Sequence, residues 1–187
     1  MSTALRWTTS DLETLPEEPG KRYEIIDGEL YVTTQPHWQH QFVCGQLFAL
    51  LQAWSVQTGT GMANQAPGVV FAEDEAVAPD VVWISNERLA HGLDDKGHLH
   101  VAPELVVEVL SPGATNERRD REAKLKLYSR RGVYEYWIVD WRQRQVQVYR
   151  REQAALHLIE TLFDEDDLRS PLLPEFSCKV AQLFVQK

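Results

Sequence analysis

Three residues in the middle of the sequence could do chemistry together, namely Asp80, Glu108 and Lys124. Asp80 precedes the apolar run at residues 81–84, and Glu108 interrupts the apolar run at residues 105–110. An ionised carboxylate in an apolar strand is costly unless it pairs with a cation or coordinates a metal ion. Two carboxylates on neighbouring strands can hold a divalent cation, while a lysine orients or helps to deprotonate a water molecule and stabilises charge on a phosphate. The alternative for Asp80 is a turn, where Asp after Pro is also common.

Lys124 lies in a predicted helix over residues 116–131. The apolar side of this helix is set by Ala123, Leu127 and Tyr128. At about 100° per residue, Lys124 falls on that side and Lys126 points nearly the opposite way. The spacing therefore directs Lys124 toward the sheet that carries Glu108. The alternative is an ion pair with Asp120, four residues earlier, on an exposed helix.

Glu24 and two histidines are further polar residues in predicted elements. Glu24 alternates with Ile25 in a strand, so it can simply lie on the solvent face of an edge strand. His37 and His40 form an H-x-x-H pair at the entry of a helix, which can hold a metal ion. No third ligand stands nearby in the sequence, so the pattern favours a structural role for both histidines.

Periodicity and turn signals predict the elements that would position these residues. Asp27-Gly28 is a strong hairpin signal because both turn residues must tolerate positive φ. The first half of the chain is predicted to form a short helix from Ser10 to Leu15 ended by residues 16–20, hairpin strands at 23–26 and 29–33, a helix at 37–57 and strands at 64–71 and 76–85. A mobile polar loop at 86–102 follows, then a strand at 105–110, the helix at 116–131 and a strand ending at Asp140. The remainder is predicted to form a hairpin at 141–149, a strand at 155–162 and an apolar tail at 172–184.

Composition predicts one soluble domain over residues 1–187, with no repeat or low-complexity segment. No apolar run reaches membrane-spanning length and no charged-then-apolar leader is present, so we expect a cytoplasmic protein without membrane contact. Two cysteines, Cys44 and Cys178, form neither a disulfide framework nor a metal-binding spacing, which favours structural roles.

The charge is unevenly distributed along the chain. The net charge of −9 disfavours a polyanionic partner, yet residues 118–151 hold eleven Lys and Arg against four Asp and Glu. Such segregation can build a patch for nucleic acid, although solvated helix faces also carry arginine runs. The candidate DNA contacts are Arg118, Arg119, Arg142 and Arg144.

Several motifs together resemble the PD-(D/E)XK nuclease superfamily, in its Uma-type putative restriction endonuclease branch. The resemblance covers nearly the whole chain and combines five segments. They are YEIIDGEL from residue 23, the histidine-containing helix entry, APDVVWI from residue 78, ELVVEVLSP from residue 104, and D-x-x-x-K-x-x-x-Y from residue 120 running into GVYEYWIVD.

The resemblance implies an α/β, restriction-endonuclease-like core of helix, three strands, helix and strand, with extra β-hairpins. It implies an endonuclease that hydrolyses phosphodiester bonds in DNA, with Mg²⁺ as cofactor and Mn²⁺ able to substitute. Asp80 and Glu108 would be the metal ligands and Lys124 the third catalytic residue. Glu24 would be a further carboxylate near the metal, and Gln65 or Tyr128 a supporting partner.

One position departs from the usual superfamily pattern. The lysine normally stands two residues after the acidic residue on the same strand, where this chain has Leu110. The branch resembled moves the lysine to the following helix, which makes Lys124 the candidate.

Two other functions remain open from the sequence. One is a catalytically silent nuclease-like domain that binds nucleic acid or a protein, although two carboxylates in the sheet interior favour an enzyme. The other is an unrelated hydrolase, for which neither a G-x-S-x-G nor a phosphate-binding G-x-x-x-x-G-K motif is present. A homodimer is a further expectation, formed by edge pairing of the strands after Trp141.

Overall fold

The computed structural model describes residues 5–16 and 18–185, so residues 1–4, 17 and 186–187 of the predicted domain lie outside the described residues. Its strands are β1 (Arg22–Ile26), β2 (Glu29–Thr33), β3 (Gly61–Gln65), β4 (Val69–Ala72), β5 (Glu75–Val77), β6 (Val81–Ser85), β7 (Leu105–Val109), β8 (Glu135–Asp140), β9 (Gln145–Glu152), β10 (Ala155–Phe163), β11 (Asp167–Ser170) and β12 (Leu173–Lys179). Its α-helices are α1 (Thr9–Leu12), α2 (Trp38–Thr58), α3 (Asn86–Gly92), α4 (Ala114–Arg118) and α5 (Leu125–Arg131).

A six-stranded sheet in the order β10-β9-β8-β7-β6-β3 forms the centre of the fold. Within this sheet β7 and β8 pair in parallel, and every other pair of neighbouring strands is antiparallel. Both β7 and β8 are buried along their whole length, as their near-continuous apolar runs predict. Helix α2, strands β3, β6 and β7, the 114–131 helix and β8 follow one another in the predicted core order, and the α/β fold is confirmed.

A second sheet of four strands, in the order β2-β1-β5-β4, contains the N-terminal hairpin. Asp27 and Gly28 both have positive φ, at 53° and 76°, as the predicted turn requires. The hairpin pairs in register from Arg22 opposite Thr33 to Ile26 opposite Glu29. The predicted hairpin is therefore confirmed, and it lies in a sheet separate from the central one.

Helix α2 packs on one face of the central sheet. Its buried apolar side chains, at positions 43, 47, 51 and 54, recur at the predicted helical spacing. Trp83 of β6 donates a hydrogen bond to the Ser55 hydroxyl over 2.9 Å, which fixes the helix against the sheet. His37 caps the helix by accepting a hydrogen bond from the Gln39 amide.

The connection between β7 and β8 is one helical segment of three parts, here called the crossover helix. It consists of α4, a π-helical turn over Arg119–Lys124, and α5. A π-turn widens the helix because its hydrogen bonds run from residue i to i+5. The helix ends at Gly132, whose φ of 86° suits a glycine cap.

Three predicted segments differ from the structure. Residues 64–71 and 76–85 form four strands, because Ala66 adopts a φ of 48° and Pro67 and Pro79 cannot donate to a sheet. The loop at 86–102 begins with helix α3, whose first turn is capped by Ser85 accepting from the Arg88 amide. The first helix starts at Thr9, because Thr8 and Asp11 form the capping box. The segment 16–20, predicted to end this helix, includes residue 17, which lies outside the described residues.

The strands after Trp141 extend the central sheet as predicted, and β11 and β12 form a hairpin that packs back on the core. Trp54 donates a hydrogen bond to the Pro174 carbonyl over 2.8 Å, which joins this hairpin to α2. None of the described helices is both long and apolar enough to cross a membrane.

Candidate active site

Lys124 connects the two sheets through buried ion pairs. Its Nζ lies 2.9 Å from Glu24 Oε1 on β1 and 2.9 Å from Glu108 Oε1 on β7. All three side chains are at most 2% exposed. Tyr128, one turn further along the crossover helix, also donates to Glu108 Oε1 over 2.8 Å. The predicted orientation of Lys124 toward the sheet is confirmed, and Lys126 is exposed.

Asp80 stands opposite Glu108 at the entry of β6. Val81 pairs with Val107 in antiparallel register, so continuing that register by one residue brings position 80 across from Glu108. The Val109 amide donates to Asp80 Oδ2 over 2.9 Å, which holds the carboxylate beside β7. Asp80 is therefore a buried site residue whose position depends on the sheet, and the turn interpretation is wrong.

Two further groups contact the Asp80 carboxylate. His40 Nε2 lies 3.2 Å from Asp80 Oδ2, and Arg22 Nη1 lies 3.4 Å from Oδ1. His40 is 5% exposed and comes from the first turn of α2. The N-terminal hairpin and α2 thus each contribute one side chain to this carboxylate.

These residues line one cleft of about 190 Å³ between the hairpin, α2 and β7. Its lining includes Arg22, Glu24, His40, Asp80, Glu108 and Lys124. A larger groove of about 590 Å³ lies between the hairpin and the crossover helix, and Arg119 lines both. The cleft is the smaller cavity, but it is the one that contains the converging carboxylates.

Arg119 and Asp120 complete the cluster from the π-turn. Arg119 Nε donates to Asp120 Oδ1 over 2.8 Å, and its Nη1 lies 3.9 Å from Glu24 Oε2. Asp120 is fully buried, 3.9 Å from Lys124. The alternative of an exposed Asp120–Lys124 pair is therefore wrong, because the pair is inside the protein.

Burial and neighbouring charges set the protonation of the cluster. Burial raises the pKa of Glu108, and although Lys124 lowers it, the nearby Asp80 charge helps to leave it at about 8. Burial also raises the pKa of Asp80, but the hydrogen bond and charge of His40, together with Lys124 and the Val109 amide, lower it to about 2. The Asp80 carboxyl group is therefore a much stronger acid than that of Glu108.

Lys124 is a permanent cation in this environment. Burial alone would lower its pKa, but the carboxylates of Glu108, Glu24 and Asp120 raise it above the ordinary value. A lysine held charged cannot accept a proton from water at neutral pH. In this state Lys124 can stabilise negative charge but cannot act as a base.

The donor set of the cleft fits Mg²⁺. Magnesium prefers carboxylate oxygens, and Asp80 and Glu108 present carboxyl groups from adjacent positions of neighbouring strands. Within residues 5–16 and 18–185, the hydrogen bonds to the Glu108 side chain both end on Oε1, which leaves Oε2 for another ligand. Burial is the largest cause of the raised pKa of Glu108, and a divalent cation beside the carboxyl group would lower that pKa.

Two additional predicted residues prove to be in the cluster and one does not. Glu24 contacts Lys124 directly, and Tyr128 contacts Glu108 directly. The assignment of Glu24 to a solvent face is therefore wrong. Gln65 is exposed at the end of β3 and is absent from the cleft lining, because the chain turns away at Ala66. Its prediction as a partner of the site is not supported.

The four predicted DNA contacts differ in exposure. Arg118 is the most exposed, with 78% of its side chain accessible, whereas Arg119 is buried and belongs to the cluster. Arg142 pairs with Asp140 and Glu117, and Arg144 with Asp164. Arg119 is buried and its guanidinium pairs with buried carboxylates, so its role as a DNA contact stays a prediction.

Sequence reasoning does not predict three contacts of the cluster, namely those of His40 and Arg22 with Asp80 and that of Arg119 with Glu24. His37 and His40 form a pair in the sequence, but the structure separates them, since His37 stacks on Trp141 at 4.8 Å. A usable signal is helical spacing, because His40 shares a face with Val43, Cys44 and Leu47, all buried.

Comparison with known proteins agrees with this architecture. The crystal structure at 1.96 Å of a putative nuclease belonging to DUF820 from Anabaena variabilis superimposes with a TM-score of 0.75. The two chains are 19% identical over 95% of this chain and 97% of that one, so the likeness shows the fold. Among curated proteins, none matches the chain.

The family model described as "Putative restriction endonuclease" (Uma2) matches residues 9–181. This range includes every residue of the cleft described above. Family and fold together support a nuclease function in general terms. The chain belongs to the Uma2 family of putative restriction endonucleases.

Proposed function

We propose that the protein is a Mg²⁺-dependent endonuclease that hydrolyses phosphodiester bonds in DNA. The observation that carries the proposal is the buried Lys124 ammonium between Glu24 and Glu108, in the cleft that Asp80 also lines. Burying four carboxyl groups with two cations, Arg119 and Lys124, is costly for stability, so such a cluster indicates a functional site. The Anabaena variabilis protein is described as a putative nuclease, which is consistent with this proposal.

Asp80 and Glu108 would hold the metal ion. When bound, Mg²⁺ supplies Lewis-acid polarisation of a phosphate oxygen and lowers the pKa of a coordinated water. Asp80 is the stronger acid and would bind as a carboxylate, and a bound divalent cation would lower the raised pKa of Glu108 so that it too would bind as a carboxylate. The hydrogen bonds from Tyr128 and Lys124 to Oε1 orient the Glu108 carboxyl group toward the cleft during this change.

Lys124 would stabilise the transition state of phosphate hydrolysis. Negative charge builds up on the phosphate oxygens as the water attacks, and a fixed cation in a dry site stabilises it without reorganising. Glu24 and Asp120 hold the ammonium in place and keep it charged. These residues are positioning residues, because they act through Lys124.

The groove beside the cleft offers a path for the DNA backbone. Arg118, Arg119 and Lys126 line it, together with acidic side chains of the hairpin. Arg119 lines both the groove and the cleft, and Lys124 lines the cleft, so both cavities present cationic side chains. A phosphate backbone in this groove would therefore approach the proposed metal ligands.

Plasmid nicking in the presence of Mg²⁺ tests the proposal. Lys124→Ala should lower cleavage by about 100-fold or more, as removal of one charge-stabilising group does elsewhere. Lys96→Ala, at an exposed lysine that lines neither the cleft nor the groove, is the control and should keep most of the activity.

Loss of folding must be separated from loss of chemistry. Lys124→Ala leaves two buried carboxylates without their cation, which costs about 3 to 5 kcal/mol. The double variant Glu24→Gln/Lys124→Gln removes one charge of each sign, so it should melt closer to wild type and still be inactive. Cleavage at the wild-type rate by a folded variant without Lys124 would contradict the proposal.

A further inference from the structure

A second group of possible metal ligands lies on the α2 side of the cleft. His40, Cys44 and Asp80 are all buried, and one ligand atom from each falls within 4.8 Å of the others. The His40 Nδ1 atom is 3.5 Å from the Cys44 sulfur, and Nε2 is 3.2 Å from Asp80 Oδ2. Within the described part of the chain this is the one group of three such residues.

The placement of the three residues follows from the fold. His40 and Cys44 are four residues apart on α2, so their side chains share one face of the helix. That face packs on the central sheet where Asp80 enters β6. Bond lengths of about 2.0 to 2.3 Å to a tetrahedral metal place its ligands roughly 3.5 Å apart. The three ligand atoms, which lie within 4.8 Å of one another, must therefore approach by roughly 1 Å when a single His40 nitrogen binds the ion.

The donor set differs in kind from the Asp80–Glu108 pair. A thiolate and an imidazole prefer soft or borderline cations such as Zn²⁺ and Cd²⁺, whereas Mg²⁺ takes carboxylate oxygens. Asp80 belongs to both sets, through its contacts with His40 and with the β7 backbone opposite Glu108. Two overlapping sites of different preference therefore share one carboxylate.

We infer that His40, Cys44 and Asp80 form a binding site for a thiophilic divalent cation, and that its occupation excludes Mg²⁺ from the cleft. Binding converts the Cys44 thiol to a thiolate: the sulfur–hydrogen bond breaks, the proton leaves to solvent, and a sulfur–metal bond forms. One open position remains for water or an external ligand, because the protein supplies three donors. Zn²⁺ at this site inhibits cleavage; that consequence rests on the proposed endonuclease function, and the metal site itself does not.

Cd²⁺ titration followed by the ultraviolet charge-transfer absorption of the cadmium–thiolate bond tests the site directly. The full chain should gain this absorption with one equivalent of Cd²⁺. Cys44→Ala should lose it, while Cys178→Ala should keep it, because Cys178 is the other buried free cysteine and belongs to no such group among the described residues. His40→Gln should weaken the Cd²⁺ affinity by at least about tenfold.

Competition distinguishes this site from the magnesium site. Zn²⁺ should inhibit wild-type cleavage, and added Mg²⁺ should relieve the inhibition, whereas Cys44→Ala should be cleavage-competent and much less sensitive to Zn²⁺. Equal cadmium absorption in wild type and folded Cys44→Ala, or its loss in Cys178→Ala, overturns the inference. A protein that binds Cd²⁺ through Cys44 but never cuts DNA would overturn the proposed function and leave this site intact.

Discussion

At the scale of single residues, the proposed metal site is one where carboxyl groups outnumber permanent cations. Four carboxyl groups, from Glu24, Asp80, Glu108 and Asp120, face three permanent cations. Burial raises the pKa of both Glu108 and Asp120 above the ordinary value. A divalent cation in the cleft would supply further positive charge and would lower the pKa of Glu108.

Glu108→Gln should remove metal-induced stabilisation without lowering the stability of the metal-free protein. Burial raises the pKa of Glu108 to about 8, so replacing its carboxyl group with a neutral amide should leave the metal-free variant melting close to wild type near pH 7. Mg²⁺ at tenfold its dissociation constant should stabilise wild type by about 1.4 kcal/mol, a shift of about 3 to 6 °C. Thermal melts of both proteins with and without Mg²⁺ measure this; equal shifts in both would contradict Glu108 as a ligand.

Glu135 predicts a pH dependence that is independent of the cleft. Burial raises its pKa above the ordinary 4.5, against hydrogen bonds from Trp137, Arg150 and Ser170 that lower it. An acid that holds its proton more tightly when folded stabilises the fold fully below its unfolded pKa and loses that contribution as pH rises through its folded pKa. The advantage of wild type over Glu135→Gln in melting temperature should therefore shrink as pH rises above 4.5, and parallel curves for the two proteins would refute this.

Single residues also show why part of the site escapes prediction. Lys124 is predictable because helical periodicity reports which side faces the sheet. His40, Arg22 and Arg119 contact carboxylates 40, 58 and 95 positions away in the sequence, and no local pattern reports such distances. The burial of Glu24 is equally hidden, because alternation in a strand distinguishes two faces without showing which one is covered.

At the scale of elements, two glycines allow a matched test of helix conformation. Gly132 ends α5 with a φ of 86°, whereas Gly45 lies inside α2. A β-carbon added at either position would have no other atom within 4 Å, so neither substitution causes a clash. Gly132→Ala should cost about 1 kcal/mol, or about 2 to 4 °C, because alanine resists positive φ. Gly45→Ala should stabilise by about 0.5 to 1 kcal/mol, because alanine favours a helix. Melting changes of the same sign in both would contradict this conformational account.

The elements predicted from sequence are those with strong local signals. The hairpin at Asp27-Gly28 and helix α2 follow from turn chemistry and period, and both are confirmed. The predicted continuous strand at 64–71 is wrong because Ala66 has a positive φ, which is a conformation that an alanine in the sequence does not indicate. The π-turn at Arg119–Lys124 has no sequence signal either, since it is set by packing, with the Asp120 carbonyl accepting from Tyr136 over 2.9 Å.

At the scale of the whole molecule, the surface charge is mostly neutralised locally. Many arginines of the basic segment 118–151 pair with acidic residues, as Arg130 does with Asp27 and Arg142 does with Glu117. The positive local balance of the sequence therefore does not become one continuous positive face. DNA affinity should depend on the few cations beside the cleft.

A charge-reversal comparison tests this expectation. Arg118→Glu/Lys126→Glu should weaken duplex binding and flatten its steep dependence on salt, because released counterions scale with phosphate contacts. Arg169→Glu/Lys179→Glu, two exposed cations on the C-terminal hairpin, is the control and should bind like wild type. Salt-independent binding, or equal loss in both double variants, would favour a protein partner over DNA.

The homodimer stays a prediction. β10 forms one edge of the central sheet, and Leu158, Ile159 and Phe163 on it are exposed, which suits edge pairing. A register irregularity between Leu158 and Glu160 interrupts that edge and limits how long a paired segment can be.

The bridge that Lys124 makes between the two sheets has a consequence for the growing chain. Glu24, Asp80 and Glu108 all leave the ribosome before Lys124, which follows Glu24 by one hundred residues. Until the crossover helix is made, these acidic side chains have no lysine to share, and their mutual repulsion opposes docking of the hairpin on the central strands. An unfinished chain therefore lacks this bridge between its two sheets, and we expect the buried cleft to form only after the crossover helix has been synthesised.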